Sequence, residues 1–260
     1  MINLLQKLQD AEVESGRIAV CSLGQAGFIY KTSSEHYIVV DPYLSDYCEH
    51  RIGPAFKRLV PALIEPRELE ALPIDAYLLT HHHEDHLDAA CIQALGSDHF
   101  PFYAPPDSIV LLEELGVAAD RCRPLYDGAK YDIAGLSIHG VFADHGAIAP
   151  DAVGIIVQFE GKTIYHMGDT CLREEQFRQI AERYDIDLLL LPINGKYGNM
   201  NETEAVKAVS ILRPRYAAPC HFWMLPGNSG GDPLLFLEGV KTDSSVTEPL
   251  LFQNGEIFIV

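Results

Sequence analysis

The chain has 260 residues, nearly half of them apolar, and a formal net charge of −18 from 19 basic and 37 acidic side chains. That length can bury a substantial core, and the apolar content excludes a disordered or fibrous chain. So acidic a surface repels phosphate backbones and anionic lipid, which argues against nucleic acid and membrane partners and leaves only a local basic pocket for a small anion.

The N-terminal stretch MINLLQKLQDAEVESG has no long apolar run and no small-residue cleavage site, so residues 1–16 predict a short amphipathic helix, not a signal peptide. No stretch approaches the ~20 apolar residues of a membrane span. Cys21, Cys48, Cys91, Cys122, Cys171 and Cys220 are scattered without a CxxC pair, which fits reduced, buried side chains and a cytoplasmic protein. Apolar strands come next: RIAVCSL (17–23), HYIVVDPYL (36–44), AYLLT (76–80) and LSIHGVF (136–142). VGIIVQFE (153–160) and KTIYHMG (162–168) form a hairpin about Glu160-Gly161, and DLLLLPI (187–193) and YAAPC (216–220) complete the series. Helices are predicted over 87–96, over 107–116 with Asp107 as cap, over 173–184, and after Asn201, which forms a capping box with Glu204. QNG at 253–255 predicts a final hairpin. No linker interrupts the run, so a single α/β domain with helix-covered sheets is expected over 1–260.

Between the strand AYLLT and the helix DAACIQALG lies THHHEDHLD, 80–88, with four histidines and three carboxylates. Alternate side chains of extended chain share a face, so His81 and His83 can converge on one cation. Asp85 and His86 then enter the first helical turn and address a second, while His82 and Glu84 face elsewhere. Imidazole and carboxylate suit zinc, manganese or iron, and the sequence does not choose among them. The helical metalloprotease pattern H-E-x-x-H fails, because His83-Glu84-Asp85-His86 is one residue short. One loop histidine would be an ordinary polar residue; four within six positions point to a metal.

The run Thr80-His81-His82-His83-Glu84-Asp85-His86 resembles the T-H-x-H-x-D-H signature of the metallo-β-lactamase superfamily. The resemblance continues through VFADHGA with His145, YHMGDT with Asp169 and APCHFWM with His221, each at a strand end. It implies a four-layer αββα sandwich (α/β, in the α+β sense) carrying two divalent metal ions per chain. By that resemblance His81, His83 and His145 hold one ion, Asp85, His86 and His221 hold the other, and Asp169 bridges them. Asp41 in IVVDPYL then braces the metal loop through hydrogen bonds, with Thr80 as a further support. Paired cations lower the pKa of a shared water, which makes Asp85, orienting the hydroxide, and Asp169 the candidate catalytic residues. His36, His50, His99, His139 and His166 read as ordinary packing histidines.

Fold alone does not give function within so broad a superfamily. The redox di-iron branch carries Glu where His83 stands, secreted β-lactamases carry an export signal, and glyoxalase II continues with Gly-Gly where Leu87-Asp88 follows here. LLPINGKYGNMNETEAV (190–206), LGQAGF (23–28) and VVDPYL (39–44) resemble the L-ascorbate-6-phosphate lactonase group, which is associated with manganese and has longer chains. The resemblance implies a metal-dependent hydrolase of a small, anionic metabolite, a lactone or phosphorylated sugar-acid ester. Asn194, Lys196, Tyr197 and Asn199 are the candidate substrate contacts, Lys196 for a phosphate, and Trp223 a pocket wall. A phosphodiesterase for cyclic or short nucleotides is the alternative, and a non-catalytic metal binder is disfavoured by the intact ligand set. The sequence leaves the oligomeric state open, a homo-oligomer included.

Overall fold

Strands apolar at every position need cover on both faces, and two stacked sheets with helices outside them supply it. The structure is a computed structural model and describes residues 3–95, 100–222 and 230–260. One seven-stranded sheet contains β1 (Ile18–Gly24), β2 (Gly27–Thr32), β3 (Tyr37–Val40), β4 (Ile74–Leu78), β5 (Phe102–Ala104), β6 (Cys122–Pro124) and β14 (Ile257–Ile259). Its order is β14-β1-β2-β3-β4-β5-β6. The second contains β7 (Lys130–Ile133), β8 (Leu136–Phe142), β9 (Val153–Phe159), β10 (Lys162–His166), β11 (Leu188–Pro192), β12 (Tyr216–Cys220) and β13 (Glu248–Pro249), ordered β13-β12-β11-β10-β9-β8-β7.

The period-2 alternation of the strands sorts their side chains into layers. Ile18 and Val20 of β1 join Leu188 and Leu190 of β11 in the core between the sheets. Ala19 and Cys21 point outward to α1 (Leu4–Asp10), α3 (Ala89–Ala94) and α4 (Pro106–Glu114). Leu189 and Leu191 point the other way, onto α5 (Glu174–Ala181), α6 (Glu202–Leu212) and α7 (Pro233–Asp243). The four-layer αββα order expected from the sequence is therefore present. The strands β3 and β4 run parallel, as do β10, β11 and β12, so their carboxyl ends open at the same end of each sheet.

Several local expectations need correction. The N-terminal helix covers Leu4–Asp10 only, and the chain beyond it is held by Lys31, whose buried Nζ donates to Gln9 O and Ala11 O. Asp107 lies in the first turn of α4 and Pro105 takes the cap position, because Pro106, whose fixed φ and missing N–H suit the first helical position, starts the helix one residue earlier. Asp85 and His86 precede α3, which starts at Ala89 because the Asp88 carboxylate accepts the Cys91 N–H at 3.0 Å. Gly96, expected to end that helix, lies outside the described residues, as does His99. The turn before EIFIV leads to β14, which pairs with β1 and not with the preceding segment. The capping box of α6 and the Glu160-Gly161 turn stand as expected, both turn residues at positive φ.

Candidate metal centre

The strand ends bring the candidate ligands together. Asp41 follows β3, His81 to His86 follow β4, His145 follows β8, Asp169 follows β10 and His221 follows β12. A loop that must turn a polar side chain inward at a strand end often strains its backbone. Gln25, Asp41, Tyr197 and His221 all adopt positive φ, at 53°, 43°, 54° and 56°. At Gly168, with φ 62°, a Cβ would meet Thr80 Cβ at 2.8 Å, so the absent side chain lets the Asp169 loop lie on the histidine loop. The His145 loop is fastened to the same place: Thr170 Oγ1 accepts the Asp144 N–H at 2.9 Å and Cys171 N donates to Asp144 O at 2.9 Å.

Three histidines form one group. His81 Nε2 lies 3.0 Å from His83 Nδ1, and His145 Nε2 lies 3.2 Å from the same atom. Asp85, His86 and His221 form a second, with His221 Nε2 3.1 Å from Asp85 Oδ2. Asp169 stands between them: its carboxylate lies 3.3 Å from His86 Nε2, 3.2 Å from His221 Nε2 and 3.6 Å from His145 Nε2. The chain between 80 and 88 is a series of turns, not extended, with Leu87 N donating to His83 O, yet His81 and His83 still converge.

A layer of supports surrounds these side chains. The Asp41 carboxylate accepts from the Thr80 N–H at 2.9 Å and the Thr80 hydroxyl at 2.5 Å, and lies 2.7 Å from His86 Nδ1. It thereby fixes the His86 ring so that Nε2 points at Asp169. Gln25 was not singled out in the sequence. Its carbonyl accepts the His221 N–H at 2.9 Å, and its side chain donates to Asp85 Oδ2 at 2.8 Å. Only LGQAGF, a glycine-flanked turn at a strand end, could have marked it. Asn199 Nδ2 donates to Asp169 Oδ2 at 2.7 Å. His166 is no part of either group and ties Ala26 O to Gly168 N.

Electrostatics separate the two groups. Burial pushes His81 and His83 below the ordinary histidine range and takes His145 down to about 4, against the pull of Asp169 or Asp85. Burial acts on His86 and His221 in the same direction, but the carboxylates of Asp169, Asp85 and, for His86, Asp41 outweigh it. His221 rises to about 10. Asp85 and Asp169 fall well below the carboxylate range, because the neighbouring imidazoles outweigh their own desolvation.

These features fit a pair of divalent cations. His86 Nε2 and Asp169 Oδ1 are buried, face one another and make no hydrogen bond. Buried polar atoms left so cost free energy unless something joins them, and nitrogen and carboxylate donors suit zinc, manganese or iron. The ligand atoms of each group lie within 4.8 Å of one another.

A cavity of about 470 Å³ opens over the centre. Tyr197 and Asn199 line it; Lys196 is exposed and does not. Asn194 is buried beneath the same loop, and Trp223 lies outside the described residues. Glu84, expected to face elsewhere, lines the cavity beside Asp85. His82 turns off the centre toward Asp107 and Asp151.

Comparison with known proteins agrees with this construction. The family model for the β-lactamase superfamily domain matches residues 36–222. A UPF0173 metal-dependent hydrolase of Polaromonas sp. is 32% identical over 240 residues, 85% of this chain and 82% of that protein. Igni18, a metallo hydrolase of the archaeon Ignicoccus hospitalis, superposes with a TM-score of 0.74 at 25% identity, over 94% of this chain and 98% of that one. An isothiocyanate hydrolase from Delia radicum gut bacteria shares the fold, with a TM-score of 0.75 at 20% identity over 92% of this chain and 98% of that one. The chain belongs to the metallo-β-lactamase superfamily, and within it to the UPF0173 metal-dependent hydrolase family.

Proposed function

We propose that the protein is a hydrolase that uses two divalent cations to open an ester or lactone of a small metabolite. One observation carries this reading: Asp169 stands between a group of three histidines and a group of Asp85, His86 and His221, all at one end of the sandwich. A bound cation pair supplies Lewis acidity and an activated water near neutral pH. The residues divide the remaining work. Asp85 keeps its negative charge because His86 and His221 lie against it, and Gln25 fixes one of its oxygens. It can orient a water by hydrogen bonding without losing that charge. Asp41 and Thr80 hold the histidine loop, and Asn199 holds Asp169.

The lactone end of this range rests on the likeness of 190–206 to the ascorbate-phosphate lactonase group, which the family relatives do not single out. The test is turnover of a lactone and ester panel beside bis-p-nitrophenyl phosphate, by protein loaded in turn with zinc, manganese and iron. Ester or lactone hydrolysis lost in Asp85→Asn and Asp169→Ala is expected. Wild-type rates in both variants would refute the roles given to these carboxylates, and faster turnover of the phosphodiester would favour a phosphodiesterase.

A further inference from the structure

The walls of the cavity over the metal centre differ in character from its floor. Asp85, His145 and Asp169 are its buried lining, with His83 and Glu84 half-buried beside them. Beside the Asn199 amide, the rest of the lining is Ile52 at the end of α2 (Tyr47–Ile52), Phe56 just beyond it, Ile148 after His145, and the ring of Tyr197. Ile52, Ile148 and Tyr197 are 47%, 46% and 54% exposed, an unusual grouping of large apolar side chains around one opening. The Ile148 backbone is tied to the centre, its carbonyl oxygen lying 3.2 Å from His83 Nε2.

No lysine or arginine lines this cavity among the described residues. The segment 223–229, WMLPGNS, contains none in its sequence either. Lys196, the nearest cation along the substrate loop, lies beside Gly230, where a Cβ would come within 3.8 Å of its Cε. Lys57, Arg58 and Arg67 line a different cavity. A phosphate dianion on the substrate's distal part would lie against isoleucine and phenylalanine with no basic side chain beside it, so the water it lost there would go uncompensated. An alkyl or aryl group there would instead leave water for apolar contact.

From this division between walls and floor we infer that the substrate is an uncharged ester or lactone with an apolar substituent, and that Ile52, Phe56 and Ile148 select it. The inference rests on the hydrolase reading and narrows it away from phosphorylated metabolites. The carbonyl faces the ligand cluster, and the substituent extends along Ile52, Phe56 and Ile148 toward solvent.

The test uses the metal-loaded protein with p-nitrophenyl esters from acetyl to hexanoyl, and with γ-lactones bearing alkyl side chains of increasing length. A fully buried methylene is worth up to about fourfold, so partly open walls should give about twofold per carbon and a rise of about sixteenfold over the four carbons that separate acetyl from hexanoyl. In an Ile52→Ser, Ile148→Ser double variant that retains its metal content and melting temperature, the hexanoyl-to-acetyl ratio of kcat/KM should fall below about threefold. A flat wild-type series, a ratio unchanged in the variant, or preference for a phosphorylated lactone over its uncharged counterpart would overturn the inference. Calorimetric binding of acetate through octanoate provides a readout independent of turnover. Affinity rising with chain length, but with no hydrolysis of any substrate, would uphold the apolar wall and refute the hydrolase reading. Affinity independent of length would refute the wall itself.

Discussion

The two halves of the centre are built from similar side chains and yet differ in charge. Burial holds His81, His83 and His145 below the ordinary histidine range, His145 at about 4, so this half is uncharged near neutral pH. Asp85, His86 and His221 form a charged half, in which carboxylates keep protons on His86 and His221 when no metal is bound. The first half presents free lone pairs. A cation at the second would have to displace protons, and there Asp41 and Gln25 hold His86 and Asp85 in place. Asp169 lies against both, 3.6 Å from His145 on one side and 3.2 Å from His221 on the other.

The largest effect should come from removing what the halves share. Asp169→Ala is expected to lower metal content below two per chain and to cut hydrolysis by more than the about 10–100-fold typical of losing an outer support. Elemental analysis and steady-state rates check both. Asp41→Asn comes next: it keeps the shape but weakens the hold on His86 and Thr80, and about 10–100-fold weaker metal binding is expected by competitive chelation. If Asp41→Asn also affected the His81, His83 and His145 half as strongly, the distinction between the halves would fail.

The distinction can be sharpened through protons. In metal-free protein near neutral pH, His221 is protonated, with its pKa at about 10, whereas His145 is neutral, at about 4. Metal binding to the Asp85, His86 and His221 half should therefore release about one or two protons, and binding to the other half nearly none. Calorimetry in buffers of different ionisation enthalpy would resolve two steps with different proton counts. The same shifts set the stability of the metal-free fold. His145, lower folded than unfolded, withdraws its contribution as pH falls from about 6.5 to about 4, and His221, higher folded, withdraws its own as pH rises from about 6.5 toward 10. Thermal melts across that range should show a maximum between the two. The smallest effect is expected for Asn199→Ala, which removes a hydrogen bond to Asp169 but no ligand: a loss of about tenfold in kcat/KM, with metal content unchanged.

The cluster His81, His83, Asp85 and His86 is conspicuous in the sequence by residue type, whereas His145, Asp169 and His221 are reached only through the resemblance to the superfamily's motif order, and the fold brings all seven together. Helix-covered sheets could be named because strands apolar at every position need two covered faces, whereas the four-layer order came through the resemblance to the superfamily. Gln25 could not, since one glutamine in a glycine-flanked turn has no chemical signal until His221, far along the chain, folds against its carbonyl. The pairing of β14 with β1 joins the two ends of the described chain and has no local signature either. Glu84 was placed outward by an extended-strand reading; the turn between His83 and Leu87 rotates it into the cavity. Lys196 stands out by its charge, but its direction is set by a loop that turns at Gly195 and Gly198, both at positive φ. Residue type was legible, and orientation within loops was not.

Titration of metal-free protein with manganese or zinc, followed by elemental analysis of the bound fraction, tests the two-cation centre most directly. Two ions per chain are expected for the wild type, and one for His221→Ala, which leaves the three-histidine half intact. Saturation at one ion in the wild type, or two ions retained in His221→Ala, would contradict the two-part centre described above.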